Sequence, residues 1–124
     1  MTQKPIKRIC LMYSGGLDTS CMLKWLQEKY NAEVVTFTAN VGQEMVDPNV
    51  FKEIEAKARK AGAVATYTLD LREEFVNDYI IPLIKANGVY QGIYPLSTAV
   101  GRYLIAKHVV EVAKKENCDA VAHG

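Results

Sequence analysis

Ile9-Cys10-Leu11-Met12-Tyr13-Ser14-Gly15-Gly16-Leu17-Asp18-Thr19-Ser20 joins an apolar run to a stretch of helical spacing through two adjacent glycines. A buried strand that turns straight into a helix exposes several backbone N–H groups at one point, and the helix dipole adds partial positive charge there. Gly15 and Gly16 lack the Cβ atoms that would keep an anion off the backbone. Ser14, Thr19 and Ser20 supply hydroxyl donors without adding charge. The turn reads as a phosphate site, beside the plainer account of a tight strand–helix turn capped by Asp18 or Thr19.

Apolar runs alternate with helical patterns through the rest of the chain. Lys7 to Tyr13 predicts a first buried strand, and Thr19 to Tyr30 a helix with Leu23, Leu26 and Tyr30 on one face. Glu33 to Thr38 is a β-branched second strand. Asp47-Pro48 reads as an N-cap and first turn, and Phe51, Ile54, Ala58 and Ala61 keep helical spacing until Gly62. Val64 to Leu69 predicts the third strand, and Arg72 to Ala86 a helix that Pro82 kinks or divides. Asn87 to Pro95 reads as an irregular loop. Ser97 to Glu116 follows as a long helix with Leu104, Ile105, Val109, Val112 and Ala113 as its core stripe. Ala120-Val121-Ala122 is a fourth strand, ended at His123-Gly124. This order predicts a doubly wound α/β fold, a parallel sheet with helices on both faces. Right-handed crossovers put the Ser14 turn and the segments after Thr38 and Val121 on the carboxyl edge, where such sheets bind ligands. The chain stops where a strand meets its functional loop, so it is expected to be part of a longer protein.

Composition narrows the function without deciding it. A length of 124 residues favours one domain. Fifteen basic against fourteen acidic residues leave a net charge of +1, no footprint for nucleic acid or an anionic membrane. No apolar stretch is long enough to span a membrane, and Met1-Thr2-Gln3-Lys4 does not open a signal peptide. Cys10, Cys21 and Cys118 have no paired metal spacing and read as reduced core thiols, which points to the cytoplasm.

No lysine follows the glycines, so the lysine-bearing P-loop spacing is absent, as is the three-glycine dinucleotide fingerprint. The turn instead resembles the SGGxDS pyrophosphate loop of the N-type ATP pyrophosphatases, enzymes that cut ATP between its α- and β-phosphates and activate a substrate as the adenylate. Three further segments narrow the resemblance: Ala39-Asn40-Val41-Gly42-Gln43, Tyr94-Pro95-Leu96-Ser97-Thr98-Ala99 and Ala122-His123-Gly124. With Tyr13 to Cys21, and with Arg102 and Ile105-Ala106-Lys107 in the long helix, they resemble the N-terminal part of the argininosuccinate synthase family, in the right order and spacing from about Arg8 onward. The resemblance implies a Rossmann-like, adenine nucleotide α-hydrolase-like fold. It implies ATP and Mg²⁺ as requirements, citrulline and aspartate as substrates, and a homotetrameric full-length enzyme in the cytoplasm. Residues 1–124 would then be a single N-terminal ATP-binding domain, incomplete and without the synthetase and oligomerisation domain. Alone it is expected to bind ATP and not to complete the synthesis.

Carried over residue by residue, the resemblance puts Met12, Tyr13, Ser14, Gly15, Gly16, Leu17, Asp18, Thr19 and Ser20 in the ATP site, with Ala39 at the adenosine and Gly124 approaching through its backbone. His123 either touches ATP or only shapes its turn. Asp18 either reaches a metal through water or only starts the helix. Tyr94, Ser97 and Thr98 would bind citrulline, and Arg102 either faces that site or is an ordinary exposed helix residue. No residue is assigned as nucleophile or acid–base, and no direct metal ligand is assigned. The chain departs from the family at Ala99, where some relatives carry a hydroxyl, and at Tyr103, where a proline is common. Two other readings keep the fold: an adenylating enzyme with a different acceptor, such as a tRNA base or an NAD or GMP precursor, and a nucleotide-binding module without catalysis.

Overall fold

Alternation along the first strand decides which side of the sheet each residue feeds. In β1 (Arg8–Met12) Ile9 and Leu11 pack on one face and Cys10 on the other, all three buried. The structure is a computed structural model that describes residues 4–43 and 47–124; the opening Met1-Thr2-Gln3, read as no leader, lies outside it. α1 (Leu17–Tyr30), β2 (Glu33–Asn40), α2 (Asn49–Lys60) and β3 (Ala65–Asp70) follow β1. α3 (Arg72–Phe75), a π-helical turn (Val76–Ile80) and α4 (Ile81–Lys85) then form one helical segment. β4 (Val89–Tyr90), β5 (Tyr94–Pro95), α5 (Ser97–Lys115) and β6 (Ala120–Ala122) complete the chain. Among the described residues, no helix is long and apolar enough to cross a membrane.

The main sheet runs β3-β2-β1-β6, with every pairing parallel. The chain steps outward from β1 to β3, then returns through α5 to lay β6 on the other side of β1. Strand order therefore reverses between β1 and β6. α1 and α2 cover one face, where Leu23, Leu26, Ile54 and Ala58 meet Ile9, Leu11 and Val34. α5 covers the other, where Leu104, Val109 and Val112 meet Cys10, Val35 and Phe37. This is the expected doubly wound architecture.

Three local expectations need correction and a fourth is sharpened. Tyr30 is 42% exposed, its ring edge-on to Trp25 at 6.1 Å between centroids, so the α1 stripe ends at Leu26. Cys21 is exposed; only Cys10 is a fully buried thiol, and burial pushes it up to about 12. The division expected at Pro82 falls just before it, at a π-turn between α3 and α4. That turn widens the hydrogen-bond ring, and Pro82 falls in the first turn of α4, where its missing N–H costs nothing. The span from Asn87 to Pro95 is not irregular throughout: β4 and β5 pair antiparallel, with Val89 opposite Pro95 and Tyr90 opposite Tyr94. Gln91 and Gly92, at φ 51° and 72°, make the turn between them.

Charge is concentrated where β1 begins. Arg8 bridges Glu33 at 3.1 Å and Glu116 at 2.7 Å, and the Tyr67 hydroxyl donates to the second oxygen of Glu116. Asp119 accepts from the backbone N–H groups of Lys7 at 2.9 Å and Arg8 at 3.2 Å, with Lys4 Nζ at 3.4 Å. The Lys7 N–H above all, then the Arg8 N–H and Lys4, holds the Asp119 carboxyl below the usual carboxylate range. A group depressed in the folded chain stabilises it above the unfolded-state pKa, about 3.9, and that stabilisation is lost as pH falls through the lower folded value. Urea unfolding of Asp119→Asn should show a clear deficit against the parent at pH 7, and one that shrinks as pH falls below about 4. A deficit constant with pH would mean the carboxylate charge contributes nothing.

Candidate functional site

β1 and β2 are locked together up to the point where the chain turns. The Tyr13 N–H donates to Phe37 O at 2.8 Å, and the buried Thr38 hydroxyl donates to Tyr13 O at 2.7 Å. Gly15 then takes φ +78°, and Gly16, extended at φ −75° and ψ 174°, is the N-cap of α1. No side chain caps this helix, so the expected Asp18 or Thr19 cap is not made. The leading N–H groups of α1 are left without a side-chain partner, and the positive end of its dipole is uncovered.

The three hydroxyls are spent differently from one another. Ser20 Oγ donates back to Gly16 O at 2.8 Å and accepts from the Tyr13 hydroxyl at 2.8 Å. Its one proton serves the loop itself. Ser14 Oγ lies 3.2 Å from Thr19 Oγ1 and accepts the Gly16 N–H at a long 3.4 Å. The glycines also differ. A Cβ on Gly15 would sit 2.8 Å from Ile54 Cγ1, whereas one on Gly16 would meet only Ser14 Oγ, at 3.4 Å. The first glycine lets the turn pack on α2, and the second faces open space.

Beside this turn lies a cleft of about 450 Å³ at the carboxyl edge. Met12 lines it from the end of β1, Tyr13 and Ser14 from the turn that follows, Asp18 and Thr19 from α1, Ala39 from β2, and His123 and Gly124 from the segment after β6. These expected site residues are thus brought together. Gly15, Gly16, Leu17 and Ser20 are not in its lining; Leu17 is 78% exposed and Ser20 points into the loop. Tyr94, Ser97, Thr98 and Arg102 do not line it either. Tyr94 sits on the β4–β5 hairpin at 55% exposure, and the other three lie along the first turns of α5. Sequence reasoning passed over Phe37, Thr38, Gln43 and Ile105 in the lining, with Phe51 and Ile54 of α2. A threonine closing a β-branched run and a Gln three residues past the β2 terminus were the available signals. The Gln43 side chain ties down its own loop, donating to Ala39 O and accepting from Val41 N, both at 2.8 Å.

Among the described residues, no three His, Cys, Asp or Glu side chains gather to hold a metal. Asp18 presents one exposed carboxylate in the first turn of α1. If the turn held phosphate, one carboxylate beside it would suit Mg²⁺, which takes one or two carboxylates and completes its shell from phosphate oxygens and water.

A parallel sheet whose order reverses beside a glycine turn and an uncapped helix start defines a Rossmann-like α/β domain. Residues 8–124 match the family described as the arginosuccinate synthase N-terminal HUP domain, and the chain belongs to that family. The argininosuccinate synthase of Maricaulis maris is 53% identical over 123 residues, covering 98% of this chain and 29% of that protein. That of Dinoroseobacter shibae is 55% identical over 119 residues, covering 95% and 28%. The chain thus spans less than a third of the length of these curated relatives. Among solved structures, the NAD+ synthetase from Burkholderia pseudomallei shares the fold, with a TM-score of 0.55 at 20% identity over 96% of this chain and 45% of that one.

Proposed function

We propose that residues 1–124 form the ATP-binding domain of an argininosuccinate synthase. The reading is carried by one observation: the ends of β1, β2 and β6 converge on one cleft beside a helix start with no side-chain cap. The phosphates would lie on the N–H groups of Gly16, Leu17 and Asp18, with Ser14 and Thr19 donating from the side. Ala39 and Gly124, small and partly or fully exposed, leave room for the adenosine to approach backbone. Mg²⁺, held by Asp18 and phosphate oxygens, would supply charge neutralisation for the departing pyrophosphate.

The reaction has two displacements. The ureido oxygen of citrulline forms a bond to the α-phosphorus as the bond to the β-phosphate oxygen breaks, giving citrullyl-adenylate and pyrophosphate. The amine of aspartate then attacks the ureido carbon, and AMP leaves with the former ureido oxygen. Negative charge grows on the leaving pyrophosphate, where preorganised N–H donors and a helix dipole act most strongly. No covalent intermediate with the protein is needed, so catalysis rests on alignment of reactants. Tyr94, Ser97 and Thr98 would hold citrulline, with Arg102 nearby on α5. The polypeptide beyond this domain would supply the aspartate site, complete the citrulline site and build the tetramer.

Calorimetric titration of this chain with ATP, and separately with pyrophosphate, in the presence of Mg²⁺ tests the reading. Saturable binding at one site is expected for both, and no argininosuccinate should form when citrulline and aspartate are added. Absence of saturable binding to either ligand overturns the site. Formation of argininosuccinate by this chain overturns the division of labour.

A further inference from the structure

Tyr13 is 3% exposed, with its ring in the α1–α2 core beside Leu23 and Ile54. Its backbone is pinned on both sides, N–H to Phe37 O at 2.8 Å and carbonyl to the Thr38 hydroxyl at 2.7 Å, so the ring has no freedom to swing. A buried phenol hydroxyl needs a partner, and this one has Ser20 Oγ at 2.8 Å. Because the Ser20 proton is given to Gly16 O at 2.8 Å, the Tyr13 hydroxyl must be the donor to Ser20. The relay runs Tyr13 to Ser20 to Gly16. Gly16 O also accepts the Ser20 N–H at 3.1 Å and the Thr19 hydroxyl at 3.4 Å. That carbonyl and the Leu17 N–H belong to one peptide unit. Donors converging on the oxygen fix the plane of the peptide and polarise its N–H, since hydrogen bonds in a chain strengthen one another.

We infer that Tyr13 is a positioning residue of the anion turn: through Ser20 its buried hydroxyl holds the Gly16–Leu17 peptide so that the Leu17 N–H is presented to a phosphate oxygen. This rests on the phosphate reading of the turn above and adds to it a role for a hydroxyl whose hydrogen bond goes to Ser20, inside the loop. It also reassigns Ser20 from ligand contact to scaffold.

Tyr13→Phe keeps the ring and removes only the donor. In the ligand-free chain, amide NMR should show a displaced Leu17 resonance and Ser20 amide exchange at least threefold faster, while the Leu23 and Leu26 amides stay as in the parent. An unmoved Leu17 resonance with unchanged Ser20 exchange overturns the inference whatever the ligand does. With inorganic pyrophosphate and Mg²⁺, Tyr13→Phe and Ser20→Ala should each bind about tenfold more weakly. The double variant should be no weaker than either, because the two act in series. Additive losses overturn the relay. A parent that binds no pyrophosphate overturns the phosphate reading instead, and the ligand-free measurement still decides the role of Tyr13.

Discussion

Gly16→Ala should fold like the parent and bind pyrophosphate at least tenfold more weakly. At φ −75° and ψ 174° Gly16 occupies extended backbone open to any residue, so the substitution brings no conformational strain. Its Cβ would meet only Ser14 Oγ, at 3.4 Å, the edge of ordinary van der Waals contact. Alanine is a poorer N-cap than glycine, and that difference sets a stability loss of about 1 kcal/mol or less. Binding is affected differently. The new methyl projects from the residue whose N–H, with its neighbour's, would meet the anion in the proposed site, and displacing a phosphate by even a few tenths of an ångström weakens short, charge-assisted hydrogen bonds. A tenfold loss is about 1.4 kcal/mol, the scale of one such bond. Calorimetry with pyrophosphate reads the affinity, and a thermal melt reads the fold. Unchanged affinity in a well-folded Gly16→Ala chain would place the phosphates elsewhere along the carboxyl edge.

That the turn was readable from sequence at all follows from three signals agreeing at one place. A continuous apolar run gives way to helical spacing across Tyr13 to Leu17, both glycines fall at the change, and three hydroxyls gather around them. The parallel sheet follows from the alternation of strand and helix along the chain, whereas the order β3-β2-β1-β6 is seen only in the structure, because right-handed crossovers leave more than one way to lay four parallel strands. What escaped has physical reasons. Tyr30 keeps the spacing of Leu23 and Leu26, yet spacing reports only the side of a helix, not how far its neighbours extend beneath it. A hairpin with two-residue strands is shorter than the window in which periodicity can be detected; Gln91-Gly92 was its one local mark. The internal hydrogen bonds of Ser20 were not legible either, since from sequence a hydroxyl in such a loop reads only as a donor. Its direction depends on the Tyr13 hydroxyl, reached only when strand and helix are packed. The hairpin and α5 residues carried over from the family kept their identity but did not join the cleft, since a motif specifies chemistry without specifying which wall it stands on.

Gly15→Ala, one residue away, should have the opposite outcome, a destabilised chain rather than an unfitted ligand. Gly15 sits at φ +78°, where an L side chain costs about 1–2 kcal/mol. A Cβ there would stand 2.8 Å from Ile54 Cγ1. Ile54 is 9% exposed and packed in the α1–α2 core, so it cannot swing away without disturbing Leu11 and Ala58. Overpacking of this kind adds about 1–3 kcal/mol, so urea unfolding should show a total loss of about 2–5 kcal/mol. Strain and clash can be separated by truncating the neighbour. Ile54→Ala by itself should lose about 2–5 kcal/mol, the usual cost of emptying a buried isoleucine site. In the double variant the alanine methyl at Gly15 no longer meets a side chain, so the combined loss should fall at least 1 kcal/mol short of the sum, a coupling typical of residues in contact. Strict additivity would show that the left-handed backbone alone makes Gly15 necessary. A Gly15→Ala chain as stable as the parent would show that the turn does not close on α2 as it does here, and the helix start would then lose the support that aims it at the cleft.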